Sequence, residues 1–294
     1  MNAVPLVDAI VQFLGDRGVL AAADVREALE RELTTRNGRD VAALKSHLTS
    51  DDGWAYYPPD ALARRIHHVL AHRVVTDDSE LIGSDGLAAV AGAPVVIVSN
   101  HLSYSDANVI DVMLHRFGAT EVADRLTALA GPKVFTSRER RFSSLCFGTI
   151  KVPQSTEVSS GEAVLKARDV ARAARRAIEV AHERLAAGDA LILFGEGTRS
   201  RDGRMQRMLP AAARYLEGPP AWVLPVGLTG PEALFPIDGA RLQPTRITMT
   251  VGRAIRSEAL LAPAKGNRRA VMDRLGLAIA QLLPAEYRGV YSAA

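Results

Sequence analysis

Strands that alternate with helices from Leu81 onward predict an α/β fold. The expected architecture is a largely parallel central sheet flanked by helices over residues 81–294, preceded by a small N-terminal helical domain over residues 1–80. Three observations carry this reading. The apolar runs Val95–Val98 and Ala190–Phe194 have the length and β-branched content of strands covered on both faces. Each runs directly into a polar turn, and in a parallel sheet such turns lie at the carboxyl ends of strands, where sites are built. The first eighty residues show only helical stripes and no comparable strand.

Those stripes come in order. Val4, Leu6, Val7, Ile10, Val11 and Leu14 mark one helix, ended near Gly15 or Gly18; Ala21–Leu33 and Val41–Leu48 read as two more. Tyr56-Tyr57-Pro58-Pro59 reads as a stiff break. Asp60 then caps a helix with Leu62, Ile66, Val69 and Leu70 on one face. His67 and His68 lie on it and read as solvated or core-edge side chains. No cysteine or second histidine pair stands at metal-ligating spacing, so no metal is expected. Helices this short need partners, so they form a bundle packed on the main domain.

In the second region, a helix over Asp106–Arg116 follows the first strand, with Ser103 or Ser105 as its N-cap. Leu126–Ala130 is a strand with Lys133 at its end, and Ile150–Val152 a short one. Between them, Arg138, Arg140 and Arg141 run into Phe142, Leu145 and Phe147. That segment has two readings: an interfacial or carrier-docking element, or a solvated turn leading into a core-facing helix. Glu162–Ala187 is the longest helix, with Arg168, Arg172, Arg175, Arg176 and Arg184 on a solvated face and Gly188 at its end. Trp222–Gly227 and Ile247–Val251 add strands, and Arg268–Leu283 is a closing amphipathic helix.

Composition narrows the partners. The chain has 294 residues, 48% of them hydrophobic, and a net charge of +3, so it is globular rather than disordered. So small a positive excess gives no indication of nucleic acid but suits anionic lipid, phosphate or an acidic carrier protein. The single cysteine, Cys146, rules out an intrachain disulfide framework and fits a reducing, cytoplasmic compartment. Asp8 and Asp16 interrupt any signal-peptide core, and no apolar run reaches the roughly 18–20 residues of a membrane span. A soluble chain, or one lying peripherally on the inner membrane face, is expected.

The chemistry begins at His101. Four residues separate it from Asp106, and a helical turn rises only about 5.4 Å. A carboxylate in the first turn therefore folds back onto a ring just before the cap. Such pairing sets the imidazole tautomer and leaves the other nitrogen free to accept a proton, as a general base requires. The alternative is a surface histidine beside an acid that serves the helix dipole. About ninety residues on, Phe194-Gly195-Glu196-Gly197-Thr198-Arg199-Ser200 forms a second polar turn, whose glycines let the backbone approach a ligand.

Asn100-His101-x4-Asp106 followed by Phe194-x-Glu196-Gly197-Thr198-Arg199-Ser200 resembles the glycerolipid acyltransferase superfamily, which includes glycerol-3-phosphate and lysophosphatidic acid acyltransferases. Gly131-Pro132-Lys133 through Gly148-Thr149-Ile150, and Val223-Leu224-Pro225-Val226-Gly227, are similar to the family's other two blocks and stand in the family's order. The N-terminal helices also resemble, in architecture only, those of soluble plastid-type members. The resemblance implies transfer of a fatty acyl group from acyl-CoA or acyl carrier protein to the hydroxyl of a glycerol phosphate or lysophospholipid acceptor, with no cofactor. It implies that His101 is the general base, oriented by Asp106, that Glu196 supports the acceptor or the turn, and that Gly197, Thr198 and Arg199 hold the acceptor, Arg199 at its phosphate. Ser103 and Ser105 lack a nucleophile elbow and read as turn residues.

Two positions depart from the family pattern. Gly195 stands where a proline is usual, which would loosen the turn. Gln154 stands where an arginine usually meets the acceptor phosphate, so Lys133, Arg138 or Lys151 would have to substitute, or the acceptor carries less charge. Two other functions remain open at this stage. One is a thioesterase or lysophospholipase in which His101 activates water; the other is a non-catalytic lipid- or carrier-binding module.

Overall fold

The computed structural model describes Asp8 and residues 22–34, 38–136, 138–153, 167–234 and 243–292. The expected first helix and the position of Gln154 lie outside them. Three helices open the described chain: α1 (Ala22–Thr34), α2 (Gly38–His47) and, after strand β1 (Tyr56–Tyr57), α3 (Ala61–Val74). Then come β2 (Glu80–Ile82), α4 (Ser84–Ala88), β3 (Val95–Ser99), α5 (Asp106–Arg116), α6 (Thr120–Ala123) and β4 (Leu126–Ala130). A 3-10 turn over Pro132–Phe135 leads to α7 (Arg138–Ser144), β5 (Gly148–Lys151), α8 (Ala167–Ala186) and β6 (Ala190–Phe194). The chain ends with β7 (Trp222–Thr229), α9 (Pro231–Leu234), β8 (Thr248–Val251), β9 (Ile255–Arg256), α10 (Ser257–Ala264) and α11 (Arg268–Ala280).

The strands form one sheet in the order β1-β5-β4-β6-β3-β7-β8-β2, with β9 paired to β7. Pairings around the centre are parallel: β3 with β6 and β7, β4 with β5 and β6. This is the α/β architecture expected, with helices on both faces. Side chains alternate across β3 with the two-residue period of a strand. Val95 and Ile97 enter one core, with Val109, Ile110 and Met113 of α5. Val96 and Val98 enter the other, with Ala177, Ala181 and Leu185 of α8 and Met272, Leu275 and Ile279 of α11. Every residue of β3 is buried, which is why its sequence reads as an unbroken apolar run. Leu29, Leu44, Leu62 and Ile66 of the first three helices share the core of Val95 and Ile97.

Local chemistry sets several boundaries. The Asp60 carboxylate accepts from the N–H groups of Leu62 and Ala63, each at 2.9 Å, capping α3 as its sequence indicates. The exposed arginines of α8 pair with acids three, four or seven residues on: Arg175 with Glu179, Arg176 with Glu183. One expectation is corrected. Tyr56 and Tyr57 do more than break the chain: they pair antiparallel with Ile150 and Thr149 of β5 and extend the sheet. Of the two readings of the segment over 138–147, the core-facing one is found: Leu145 and Phe147 are buried and Phe142 packs on the same core. Arg141 is buried too, its guanidinium over the rings of Tyr57 and Phe135, so cation–π stacking replaces solvent for that charge. Among the described residues no helix is long and apolar enough to cross a membrane.

Candidate active site

Because β3 and β6 are adjacent and parallel, with Ser99 opposite Phe194, the turns that follow them emerge side by side. The two principal sequence motifs therefore meet. His101 Nδ1 lies 2.7 Å from Asp106 Oδ2. The same carboxylate accepts from the backbone N–H of Leu102 at 2.6 Å and of Ser103 at 3.0 Å. Three donors from the loop before α5 thus converge on a buried carboxylate in its first turn, which fixes the carboxylate and, through it, the ring. A carboxylate at Nδ1 draws the proton to that nitrogen and leaves the Nε2 lone pair as the base. The ring stacks on Phe194 at 4.3 Å between centroids, with 16° between planes. It stays 18% exposed. Neither serine caps α5 through its side chain. Ser105 occupies the N-cap position without a side-chain bond, and the Asp106 carboxylate binds N–H groups of the loop that precedes the helix.

Glu196 ties the two turns together. Its Oε1 accepts from the His101 N–H at 2.9 Å and its Oε2 from the Gln206 N–H at 2.7 Å. Ser200 returns the link by donating its N–H to the His101 carbonyl at 2.7 Å. Burial pushes the Glu196 carboxyl up to about 7, against the opposing pull of those two N–H bonds and the His101 charge. Of the two roles the sequence left for Glu196, acceptor or turn, its contacts are with the turn. Gly197 sits at φ +72°, a conformation that L side chains rarely adopt, and it and Thr198 are exposed. Gly195 does not loosen the turn: a Cβ there would stand 3.0 Å from both Met208 Sδ and Met272 Cε, and its carbonyl accepts from Leu209 N–H at 2.8 Å.

Arg199 lies with its guanidinium carbon 4.1 Å from the centroid of the Tyr104 ring, and Arg140 lies 4.7 Å from the same centroid. One tyrosine between His101 and Asp106 thus gathers two cations. Tyr104 carried no role in the sequence reading and Arg140 none at this site, since stacking between distant turns leaves no local spacing. Asn100 was likewise only part of a motif. Its buried amide donates to the Leu228 carbonyl at 3.0 Å and accepts the Leu228 N–H at 2.8 Å, pinning the end of β3 to β7.

The three suggested substitutes for the missing arginine fare differently. Lys151 is not available to a phosphate: Nζ lies 2.8 Å from both oxygens of Asp51 and packs over Trp54 and Phe135, so its charge is already matched. Lys133 is half-buried in the 3-10 turn after β4, where its carbonyl accepts from Arg140 at 3.4 Å. Arg138 begins α7, with its side chain outside the described residues.

The arrangement as a whole is a carboxylate-oriented imidazole beside a cationic, glycine-flanked turn. No curated protein matches the sequence. Among solved structures, the 1-acyl-sn-glycerophosphate (LPA) acyltransferase PlsC from Thermotoga maritima is similar over 94% of this chain and 95% of its own, at 17% identity and a TM-score of 0.48. The family model described as Acyltransferase matches residues 78–229, from before β3 to the end of β7, and so takes in both turns and the strands that carry them. The chain belongs to the Acyltransferase family.

Proposed function

We propose that the protein transfers a fatty acyl group from an acyl thioester, on coenzyme A or a carrier protein, to a hydroxyl of glycerol 3-phosphate or a lysophospholipid-type acceptor. The observation that carries this is the His101 Nδ1–Asp106 bond at 2.7 Å in a ring still partly exposed. In this reading Nε2 takes the acceptor hydroxyl proton as the oxygen attacks the thioester carbonyl. Asp106 stabilises the imidazolium that forms. Collapse of the tetrahedral intermediate breaks the C–S bond, and the imidazolium returns the proton to the departing thiolate. No enzyme nucleophile is needed, because the thioester is already activated.

Arg199, on the face of Tyr104, supplies the positive charge for an acceptor phosphate. That residue meets the need left by Gln154 without recourse to Lys151. Arg199→Ala is expected to raise the acceptor KM about tenfold or more while kcat changes little, as loss of a charge-assisted bond of ~1.5–3 kcal/mol predicts. Steady-state kinetics with each substrate varied in turn check this; an effect confined to the thioester would put the two substrates the other way round. The reaction itself is tested by following thiol release from acyl-CoA and acyl carrier protein with and without a panel of hydroxyl acceptors. Release that depends on acceptor, with the acylated product seen by mass spectrometry, supports transfer. Full-rate release of free fatty acid without acceptor would make the enzyme a hydrolase instead.

A further inference from the structure

On the far side of α5 from His101's turn, a second histidine–carboxylate group belongs to none of this machinery. Asp111 is fully buried, and its Oδ2 faces two consecutive histidines of α3. His68 Nε2 lies 2.7 Å from that oxygen and His67 Nε2 3.4 Å from it. The three ligand atoms all fall within 4.8 Å of one another. The other oxygen, Oδ1, is held at 3.0 Å by Arg64, which reaches Asp124 at the same distance.

The pattern is that of a carboxylate with one oxygen oriented by an outer partner and the other left for a cation. His67 Nε2 is buried and, although 3.4 Å from Asp111 Oδ2, makes no hydrogen bond. Two Nε2 atoms directed at one anionic oxygen require two protons, or else one metal ion that accepts both lone pairs and the carboxylate together. Zinc holds nitrogen and oxygen donors at about 2.0–2.2 Å, which sets tetrahedral donors roughly 3.4 Å apart. The His67–Asp111 separation of 3.4 Å already meets that spacing, and the His68–Asp111 separation of 2.7 Å has to open by only about 0.7 Å. Imidazole and carboxylate donors suit zinc, cobalt and nickel rather than calcium or magnesium.

We propose that His67, His68 and Asp111 bind one divalent transition-metal ion of the zinc class, with water completing the coordination. The ion staples α3, from the N-terminal helices, to α5, the helix whose first residue orients the base. Adjacent histidines on a helix are not a spacing that announces a ligand pair, which is why the sequence indicated no metal.

Protein stripped with a chelator is titrated with zinc chloride in competition with a chromophoric chelator. One equivalent is expected to bind and to raise the melting temperature, and cobalt(II) is expected to give the intense visible bands of a tetrahedral site. His67→Ala and His68→Ala each lose at least the ~10–100-fold in affinity that even an outer partner is worth, with the circular dichroism unchanged, whereas His101→Ala binds as tightly as the parent. Absence of uptake by the folded parent protein, or equal uptake by both alanine variants, overturns the proposal. Should a variant fail to fold, histidine footprinting of the parent decides. Zinc must shield His67 and His68 from acylation while His47 and His182 stay reactive, and shielding elsewhere refutes the assignment.

Discussion

His101→Ala is expected to lower kcat by ~10²–10⁴-fold or more, the usual contribution of a general base, while the melting temperature moves by no more than about 5 °C. The second half follows from how the residue is held. Glu196 grips the backbone N–H of His101 and Ser200 grips its carbonyl, so neither link passes through the ring. Removing the imidazole leaves Asp106 with the Leu102 and Ser103 N–H groups, still a satisfied buried carboxylate. What is lost locally is the stacking on Phe194. Asp106→Asn behaves differently. An amide has one acceptor oxygen where three donors converge, so the wrong tautomer and an unpaired N–H arrive together. Turnover and stability should then both fall. Initial rates together with calorimetry on the two variants separate these outcomes. Near-normal turnover in His101→Ala removes the histidine from the chemistry.

Glu196→Gln is the second large effect, and its signature is a slope. The Glu196 carboxyl is raised from an ordinary 4.5 to about 7 by burial. A raised acid binds its proton more tightly folded than unfolded. Between about pH 4.5 and 7 the unfolded chain has released that proton and the folded chain keeps it, so stability falls as pH rises through this window. At roughly 1.4 kcal/mol per unit the full effect is about 3 kcal/mol. His72 acts in the opposite sense: burial and the Arg116 charge lower it, so its contribution grows as pH rises. The comparison that isolates Glu196 is therefore parent against Glu196→Gln, unfolded in urea at a series of pH values. The glutamine variant is expected to be the less stable at pH 5, by about 1–3 kcal/mol, because its –NH2 faces an N–H of His101 or Gln206. It is also expected to lose the downward slope. Parallel curves for the two proteins would mean that another group carries the pH dependence.

The residues that were legible in the sequence are those whose partners are local or whose burial is complete. Asp106–Arg116, Leu126–Ala130 and Ala190–Phe194 are expected and found at the same bounds, because a strand buried on both faces and a helix begun by a first-turn acid write themselves in consecutive residues. The Asp60 cap was legible for the same reason. The pairing of His101 with Asp106 lies within one turn and could be read from spacing. The function of Glu196 could not, since its two partners are backbone N–H groups at positions 101 and 206, and a main-chain donor has no residue identity. The meeting of Arg140 with Arg199 on Tyr104 depends on the path of three separate turns. Lys151 looked like a free cation only because its counter-ion, Asp51, is 100 residues away in sequence. The segment after Arg141 allowed two readings because a short amphipathic stretch reads alike whether its apolar side meets lipid or a sheet.

The place of β3 in the sheet has a consequence for how the molecule is made. Its Val95 has Ala190 on one side and Trp222 on the other, so both neighbours of the central strand are specified long after it. On a ribosome, β3 and the histidine behind it emerge well before either strand exists to receive them. Such distant pairing is slow and leaves an apolar strand uncovered in the meantime. During synthesis β3 therefore waits bare on both edges, a state that a chaperone's cover would protect.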